Sequence, residues 1–510
     1  MNDVSIVRGF AGSNSEYVSN QMKQFGVTRA LINKELTGIF NSETLRDMNH
    51  TIRMYSVYQL GAGFDVDVNG NDWVPTIWKS KNVKTLIDKE ARFMFASPPS
   101  IAVRDGNNSD DSPNNKNRIQ PNEDFLMSVL NNNKINNKLV KAAKDCLIGK
   151  RIAIAVNFNE TTGITVSFIP SLEFVYETDP TDVDTITKFI QFYNVTVNEE
   201  KSQQRIYKKK WYMTEDNICH VVEELYDGNA NLIETIVPDT ATRLSYIPVE
   251  IVINDGLSGD PFGESEVETL VDTESIISKL SSKDIDSLRK GTDQIVWARD
   301  IDPRTTKGLS RAAGAFWDLQ TDPAKENSVG AVGTLDNSMA YSGALDTTLN
   351  RLKTSMYAAL DVPDTSNEAL QGIVTSGKTM QAIYWGLMVR CDEKMLSWIP
   401  ALETTMYTII EGAKLYPEVR KLYQEEELVD DYIITVENNY PILQDVTEEK
   451  SADILEVNAK VLSRKSYMKK WRGLTDEEIN SELEQILKEQ QMLENDNFLG
   501  SGGTGIIEEE

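Results

Sequence analysis

Cysteine and histidine are nearly absent from this chain of 510 residues, which has three of the first and two of the second. Cys146, Cys219 and Cys391 lie far apart and no CxxC pair occurs, which excludes a disulfide framework and leaves little for a zinc or redox site. His50 and His220 are equally scattered. Cys219 and His220 are neighbours in a strand-like stretch, so their side chains point to opposite faces and no shared metal is expected. Ser–His or Cys–His catalysis has almost nothing to draw on. Long apolar runs are missing too: no stretch of about eighteen apolar residues reads as a membrane span. The start, MNDVSIVRGF, lacks the basic-then-apolar layout of a secretory signal, so a cytoplasmic protein with no membrane partner is expected. Basic charge is in deficit, with 52 Lys and Arg against 79 Asp and Glu and a net charge of −27. Gripping DNA through its phosphates requires a basic surface. An acidic chain can still handle a duplex if it must let it slide past, but charge alone favours the plainer reading that it keeps a large protein soluble.

Enough remains to build cores: 40% of residues are apolar and 26% charged, and the length allows roughly two to four domains. Periodicity places a helix over Asn41–Leu60, then a Gly61/Gly63 loop, then a helix over Lys81–Phe95 with Val83, Leu86, Ile87, Phe93 and Phe95 on its apolar side. Ser97-Pro98-Pro99 ends it, and Ile101–Val103 reads as a strand. Residues 104–121 read as an exposed loop, and Asp124–Ile148 as one helix. Short β-rich runs follow at Ala153–Phe158, Ile164–Ile169, Phe174–Glu177, Thr187–Asn194, Arg205–Met213, Cys219–Leu225 and Leu232–Val237. The fold class is therefore α+β, an antiparallel β region on a helical base. Glu264–Arg289 is helical again, and fifty weakly patterned residues hold strand-like Gln294–Ala298 and Ala315–Leu319. A helix over Ser342–Leu360, a breaker-rich loop over Asp361–Gly377 and a long helix from Lys378 to Leu415, which Pro400 should kink, come next. Tyr432–Glu437 reads as a strand, Thr447–Leu462 and Thr475–Met492 as helices, and the GSGGTGIIEEE tail as disordered. No internal repeat is visible.

One motif invites an enzymatic reading. Gly372-Ile373-Val374-Thr375-Ser376-Gly377-Lys378-Thr379 matches GxxxxGK[ST] in full. A phosphate-binding loop must follow a buried strand and open a helix, with the Thr hydroxyl on Mg²⁺. The helix is there in the pattern, but Thr365–Gln371 is polar and has no β-run, and no apolar strand ending in Asp follows to serve the metal. The motif reads as a Gly-rich loop running into a helix, with no catalytic residue, metal or cofactor implied.

The same region supports another reading. A helix, a Gly/Ser-rich loop, then Ser376-Gly377 opening a long helix that continues Thr379-Met380-Gln381-Ala382-Ile383-Tyr384-Trp385-Gly386-Leu387 resembles the portal proteins of SPP1-type bacteriophages. The strand and turn Ile434-Thr435-Val436-Glu437-Asn438-Asn439-Tyr440-Pro441 fit that family, as do the Ser-containing turn Leu462–Ser466 and the capped acidic helix opening Gly473-Leu474-Thr475-Asp476-Glu477-Glu478. Glu90–Pro99 resembles its helix, turn and strand segment. Element order agrees from about Asn41 to Gln490; Lys378 and Pro98-Pro99 depart from the family's usual residues.

The resemblance implies a ring-forming subunit, not an enzyme, through which DNA enters and leaves a capsid. It implies a wing over 1–263, a stem of two helices at 264–290 and 342–361 with a clip at 291–341 between them, a tunnel loop at 362–377, a long kinked wing helix at 378–430, a crown at 431–495 and a disordered tail at 496–510. Implied partners are about eleven further copies of the chain in the ring, double-stranded DNA passing non-specifically, the terminase large subunit, a head-completion or adaptor protein, and the major capsid and scaffolding proteins. Thr365, Ser366, Asn367, Gln371, Gly372, Thr375, Ser376 and Gly377 would form the loop facing DNA. Lys279, Lys283, Arg289, Lys290, Arg351 and Lys353 lie on the stem helices, facing either DNA or acidic residues of neighbouring subunits. Rival readings are another virion structural protein, such as a capsid or baseplate component, and a P-loop nucleotide-binding enzyme.

Overall fold

The computed structural model describes residues 7–8, 42–66, 74–106, 113–196, 204–227, 231–257, 260–292, 295–302, 304, 319–321, 329–335, 340–365, 377–441, 446–474 and 478–488. Two compact units divide the chain: Met1–Thr365 with Tyr384–Pro441, and Ser366–Ile383 with Ile442–Glu510.

In the first unit, α1 (Ser42–Leu60) and α2 (Asn82–Phe95) form where apolar residues recur at helical spacing. Val83, Leu86, Ile87, Ala91 and Met94 give α2 one buried face. The single helix expected over Asp124–Ile148 is instead two, α3 (Pro113–Asn132) and α4 (Ile135–Gly149), and α3 begins inside the expected loop 104–121. The break has a polar cause. Lys134 adopts a left-handed conformation (φ 52°), and the buried Asn133 amide donates to the carbonyls of Val129 (2.9 Å) and Ile164 (2.8 Å) while accepting from Val166 N–H (2.8 Å). One side chain thus ties the helical layer to the edge of a sheet, a link that no hydrophobic period reveals.

The β region is antiparallel throughout, as expected. β3 (Arg151–Asn159) lies between β4 (Gly163–Pro170) and β10 (Val249–Ile253), a strand the sequence reading missed. A second sheet has β1 (Val7–Arg8), β6 (Asp182–Thr196), β7 (Gln204–Met213), β8 (Cys219–Asp227) and β9 (Leu232–Ala241) in that order, and β5 (Phe174–Asp179) also pairs with β6. Phe174, Phe189, Trp211, Cys219, Leu244 and Ile247 are among the residues that close its core against β3. Cys219 is fully buried there, while His220 turns outward and its Nδ1 lies 2.9 Å from Asp239 Oδ1, so the two do point to opposite faces. The run of lysines on β7 is neutralised across the strands: Lys208 pairs with Glu224 and Lys209 with Glu223, each at 2.9 Å.

Helix α5 (Glu266–Thr292), the pair β11 (Ile295–Arg299) and β12 (Ala331–Leu335), and α6 (Ser342–Ala359) follow. The partner of β11 is β12; the strand expected at Ala315–Leu319 lies almost wholly outside the described residues. Helix α7 (Gly377–Leu415) runs on through Pro400, and a short α8 (Pro417–Arg420) leads to β13 (Tyr432–Glu437), which pairs with β2 (Ser100–Asp105) and so joins the two halves of the chain in one ladder. Gly412 lets α7 approach β3: a Cβ there would sit 2.0 Å from Phe158 Cζ.

The second unit contains α9 (Val446–Asn458), α10 (Arg464–Arg472) and a helix over 478–488. The helix expected to reach Leu462 stops at Asn458. The Ser-containing turn expected at Leu462–Ser466 instead opens α10, whose first turn is capped by Ser463 Oγ accepting from Ser466 N–H at 3.0 Å. The 496–510 tail lies outside the described residues.

Candidate functional site

The two helices expected to form a stem, α5 and α6, differ in how they are held. Along one stripe of α5, four polar side chains capture a passing segment, residues 76–82, by its backbone. Asp286 accepts from Thr76 N–H (3.0 Å), Ser282 Oγ from Trp78 N–H (2.9 Å), Ser278 Oγ from Ser80 N–H (3.1 Å) and Glu274 Oε1 from Asn82 N–H (2.9 Å). The acceptors recur every four residues and the donors every two. Four helical residues advance about 6.0 Å and two extended residues about 6.6 Å, so the repeats stay in step. The segment thereby satisfies alternate N–H groups without a sheet, and Asn82 N–H, an otherwise orphaned donor at the start of α2, gains a carboxylate. Arg289 belongs to the same arrangement, donating to Thr76 Oγ1 (3.1 Å) beside Asp286 (3.6 Å).

At its N-terminal end α5 enters a buried charge cluster. Glu266 receives both the Arg390 guanidinium and the Lys394 ammonium from α7. Arg390 Nε also donates to Glu90 of α2 (3.1 Å), and Lys394 donates to Asn254 Oδ1 (3.1 Å). Two acids and two bases balance, which is what allows them to remain buried. Glu90 is fully buried and its Oε2 makes no hydrogen bond among the described residues. Loss of solvent, and then the nearby Glu266 carboxylate, push its pKa up to about 7, while the attraction of Glu266 and Glu90 outweighs burial and raises Lys394.

Helix α6 is braced far less. Only Met356 is buried within it, with Leu360 just past its end. It packs against α5, and Tyr341, the residue before it, donates to Asp284 (3.2 Å). Lys279 is half-buried on α5; Lys283 on α5 and Arg351 and Lys353 on α6 are exposed, and none of the four makes an ion pair among the described residues. Lys290 stands in the last turn of α5, its side chain outside the described residues.

Of the expected loop, Val362–Thr365 is described and Ser366–Ser376 is not, which leaves Ser366, Asn367, Gln371, Gly372, Thr375 and Ser376 outside the described residues. Gly377 is the first residue of α7. Thr365 Oγ1 accepts from Lys89 Nζ at 3.3 Å, at the rim of a cleft of about 210 Å³ lined by Lys89, Arg92, Phe93, Val362, Tyr384 and Pro441, among others. Phe93 stacks on Tyr384 (5.4 Å) and Tyr440 (4.9 Å), and burial holds Lys89 below its usual pKa. The root of the loop is thus anchored by α2, where the sequence showed only breakers.

The family described as phage portal protein, SPP1 Gp6-like, matches residues 80–496. The chain belongs to that family of phage portal proteins. This portal protein is therefore a structural component of a phage-type particle, in a family that is structural rather than enzymatic. A solved chain described as "Virion of native gene transfer agent (GTA) particle" is similar at 11% identity, covering 78% of this chain and 89% of that one, with a TM-score of 0.37, too loose a likeness to carry an argument. No curated protein matches the sequence. No helix among the described residues is long and apolar enough to cross a membrane.

Sequence reasoning missed the captured segment and the charge cluster, though both left a signal. Glu274, Ser278, Ser282 and Asp286 form a polar stripe at a spacing of four beside the apolar Leu270 and Ile277. Glu90 stands seven residues after Val83, three after Ile87 and four before Met94, in the middle of the apolar face of α2.

Proposed function

We propose that this portal protein assembles head-to-tail into a closed ring of about twelve copies around a channel for double-stranded DNA. The family match across residues 80–496 carries the reading. A second observation supports it: α6 bears Leu345, Leu349 and Leu352, which a single copy leaves only half-buried, and within the helix it buries only Met356. A helix with apolar side chains and an open face fits a neighbouring copy. In this reading 1–263 and 378–430 form the wing, α5 and α6 the stem, 291–341 the clip that docks the terminase large subunit and later the head-completion protein, and 431–495 the crown. The major capsid and scaffolding proteins surround the ring. The 362–377 loop meets the duplex, with Asn367 and Gln371 offering neutral hydrogen bonds to phosphate. Lys279, Lys283, Arg351 and Lys353 suit the stem's outward faces, whereas Arg289 also serves the captured segment. An acidic protein with few free cations would let DNA slide where a basic one would hold it.

Cysteine placed at Ser366 and crosslinked between neighbouring copies should block DNA packaging and leave ring assembly unchanged. Full packaging with the crosslinks in place would sink the role of the loop. No nucleotide is required: Lys378→Ala should alter neither assembly nor ATP binding, and Mg²⁺-dependent ATP binding abolished by that substitution would revive the P-loop reading.

A further inference from the structure

A cleft of about 530 Å³ opens in the first unit between the far half of α7, the start of β6 and the segment that leads into β10. Its volume lies within the roughly 300–1,000 Å³ of ordinary ligand sites. Thr404, Tyr407, Thr408 and Glu411 recur at i, i+3, i+4 and i+7, so one stripe of α7 makes a wall. Ile186, Met213 and Ile247 add apolar surface. The exposed Tyr246 also lines the cleft, its hydroxyl hydrogen-bonded to Thr408.

The charge of this lining is one-sided. No Lys, Arg or His belongs to it, while Asp179, Asp184, Glu250 and Glu411 do. Two of these acids are engaged already: Glu411 accepts from Lys414 (2.8 Å) and from the Tyr432 hydroxyl (2.5 Å), and Asp179 accepts from Thr181 N–H (2.7 Å). Asp184, which is exposed, and Glu250, which is half-buried, have no ion pair among the described residues. Glu250 interrupts the otherwise apolar strand Val249-Glu250-Ile251-Val252-Ile253. Burial pushes its pKa up to about 7, with no cation to offset it. Withdrawing a carboxylate from water is costly unless it is paired, and among the described residues nothing supplies the pair. Nor do three acids, histidines or cysteines come together among those residues to hold a metal ion, so an organic cation suits the cleft better.

Two unpaired acids call for two positive charges, the apolar side chains for a hydrocarbon chain between them, and the Tyr246 ring for an ammonium group beside its face. We propose that this cleft binds an aliphatic diamine or polyamine, with the Glu250 carboxylate receiving one ammonium group, Tyr246 flanking it and Asp184 meeting a second. The inference does not depend on the ring reading.

The test is isothermal titration calorimetry of the full chain with 1,5-diaminopentane at pH 8 and low salt, where the amine is charged and Glu250 ionised, with mass photometry on the same samples. Wild type should bind one diamine per chain and saturate. Glu250→Gln should weaken binding about 10–100-fold, the loss of a charge-assisted hydrogen bond. Tyr246→Leu should weaken it about 2–5-fold, and Asp184→Asn by a similar factor. Glu456→Gln, which removes an exposed acid of α9, should leave the affinity unchanged. Without ligand, Glu250→Gln should melt no lower than wild type at pH 8, because it removes a buried charge. No saturable binding by wild type, an unchanged affinity in Glu250→Gln, or an equal loss in Glu456→Gln, the mark of diffuse attraction to an acidic chain, would overturn the proposal. A Glu250→Gln variant that melts lower would make Glu250 a support of the fold and overturn it too. So would a diamine that binds single chains but not assembled ones, with Glu250→Gln lowering the assembled fraction, because a lysine side chain of a second copy would then fill the cleft.

Discussion

Helices α5 and α6 are close in sequence and pack on each other, yet one is tied to the rest of its unit and the other is left largely open. Helix α5 spends one stripe on the backbone of residues 76–82 and places Glu266 between two cations of α7. Helix α6 relies on Met356, half-buried leucines packed toward α5, the Tyr341–Asp284 hydrogen bond and Lys89 of α2 over the Tyr357 ring (4.9 Å). The first helix therefore owes its place to contacts within the chain, and the second keeps a more open face. On the proposed ring reading, a subunit that folds alone and then closes a ring requires that division.

The comparison breaks most severely at the charge cluster. Lys394→Met leaves Glu90 and Glu266 buried with Arg390 alone, and should cost about 3–5 kcal/mol of stability by chemical denaturation. A loss below about 1 kcal/mol would mean that the cluster does not hold α5 in place. Removing the captured segment's acceptors is milder. Ser278→Ala strands the buried Ser80 N–H and should cost about 1–3 kcal/mol; Ser282→Ala, at the exposed Trp78, should fall at the lower end of that range.

The pH dependence sharpens the same contrast. Glu90 has a folded pKa near 7 against a usual 4.5, so its contribution to stability is fully present below about 4.5 and lost as pH rises through 7. Glu90→Gln does not titrate and skips that loss. Its Tm relative to wild type should therefore climb between about pH 5 and 8 and then level off. A difference that stays flat or falls with pH would show that the bases already ionise Glu90 at low pH. Glu250, pushed up to about 7 by burial, titrates in both proteins and cancels.

The smallest effect on a single chain belongs to α6. Arg351→Ala/Lys353→Ala should change its stability by no more than about 0.5 kcal/mol, since both side chains are exposed. A loss above about 1 kcal/mol would place those side chains in the chain's own packing and erase the contrast with α5.

The elements that could be read from the sequence were those with a clean period. The apolar face of α2, the α5 and α6 repeats and the alternating β-runs each depend on local spacing, so helix, strand and order came through. What escaped was long-range and polar. Asn133 splits one expected helix because its amide is needed at β4, thirty residues on. Ser463 begins a helix where only a turn was expected, because Asp453 of α9 supplies the anchor for Lys470 and Trp471. Of the candidate site, the six cations do lie on α5 and α6, but that Arg289 serves residues 76–82 depends on a partner 213 positions away.

Mass photometry of the purified full chain, across concentration and salt, tests the central claim most directly. A closed oligomer of about twelve copies, with an axial hole wide enough for a duplex in negative-stain images of the same sample, is the expected result. A stable monomer under every condition would contradict the account.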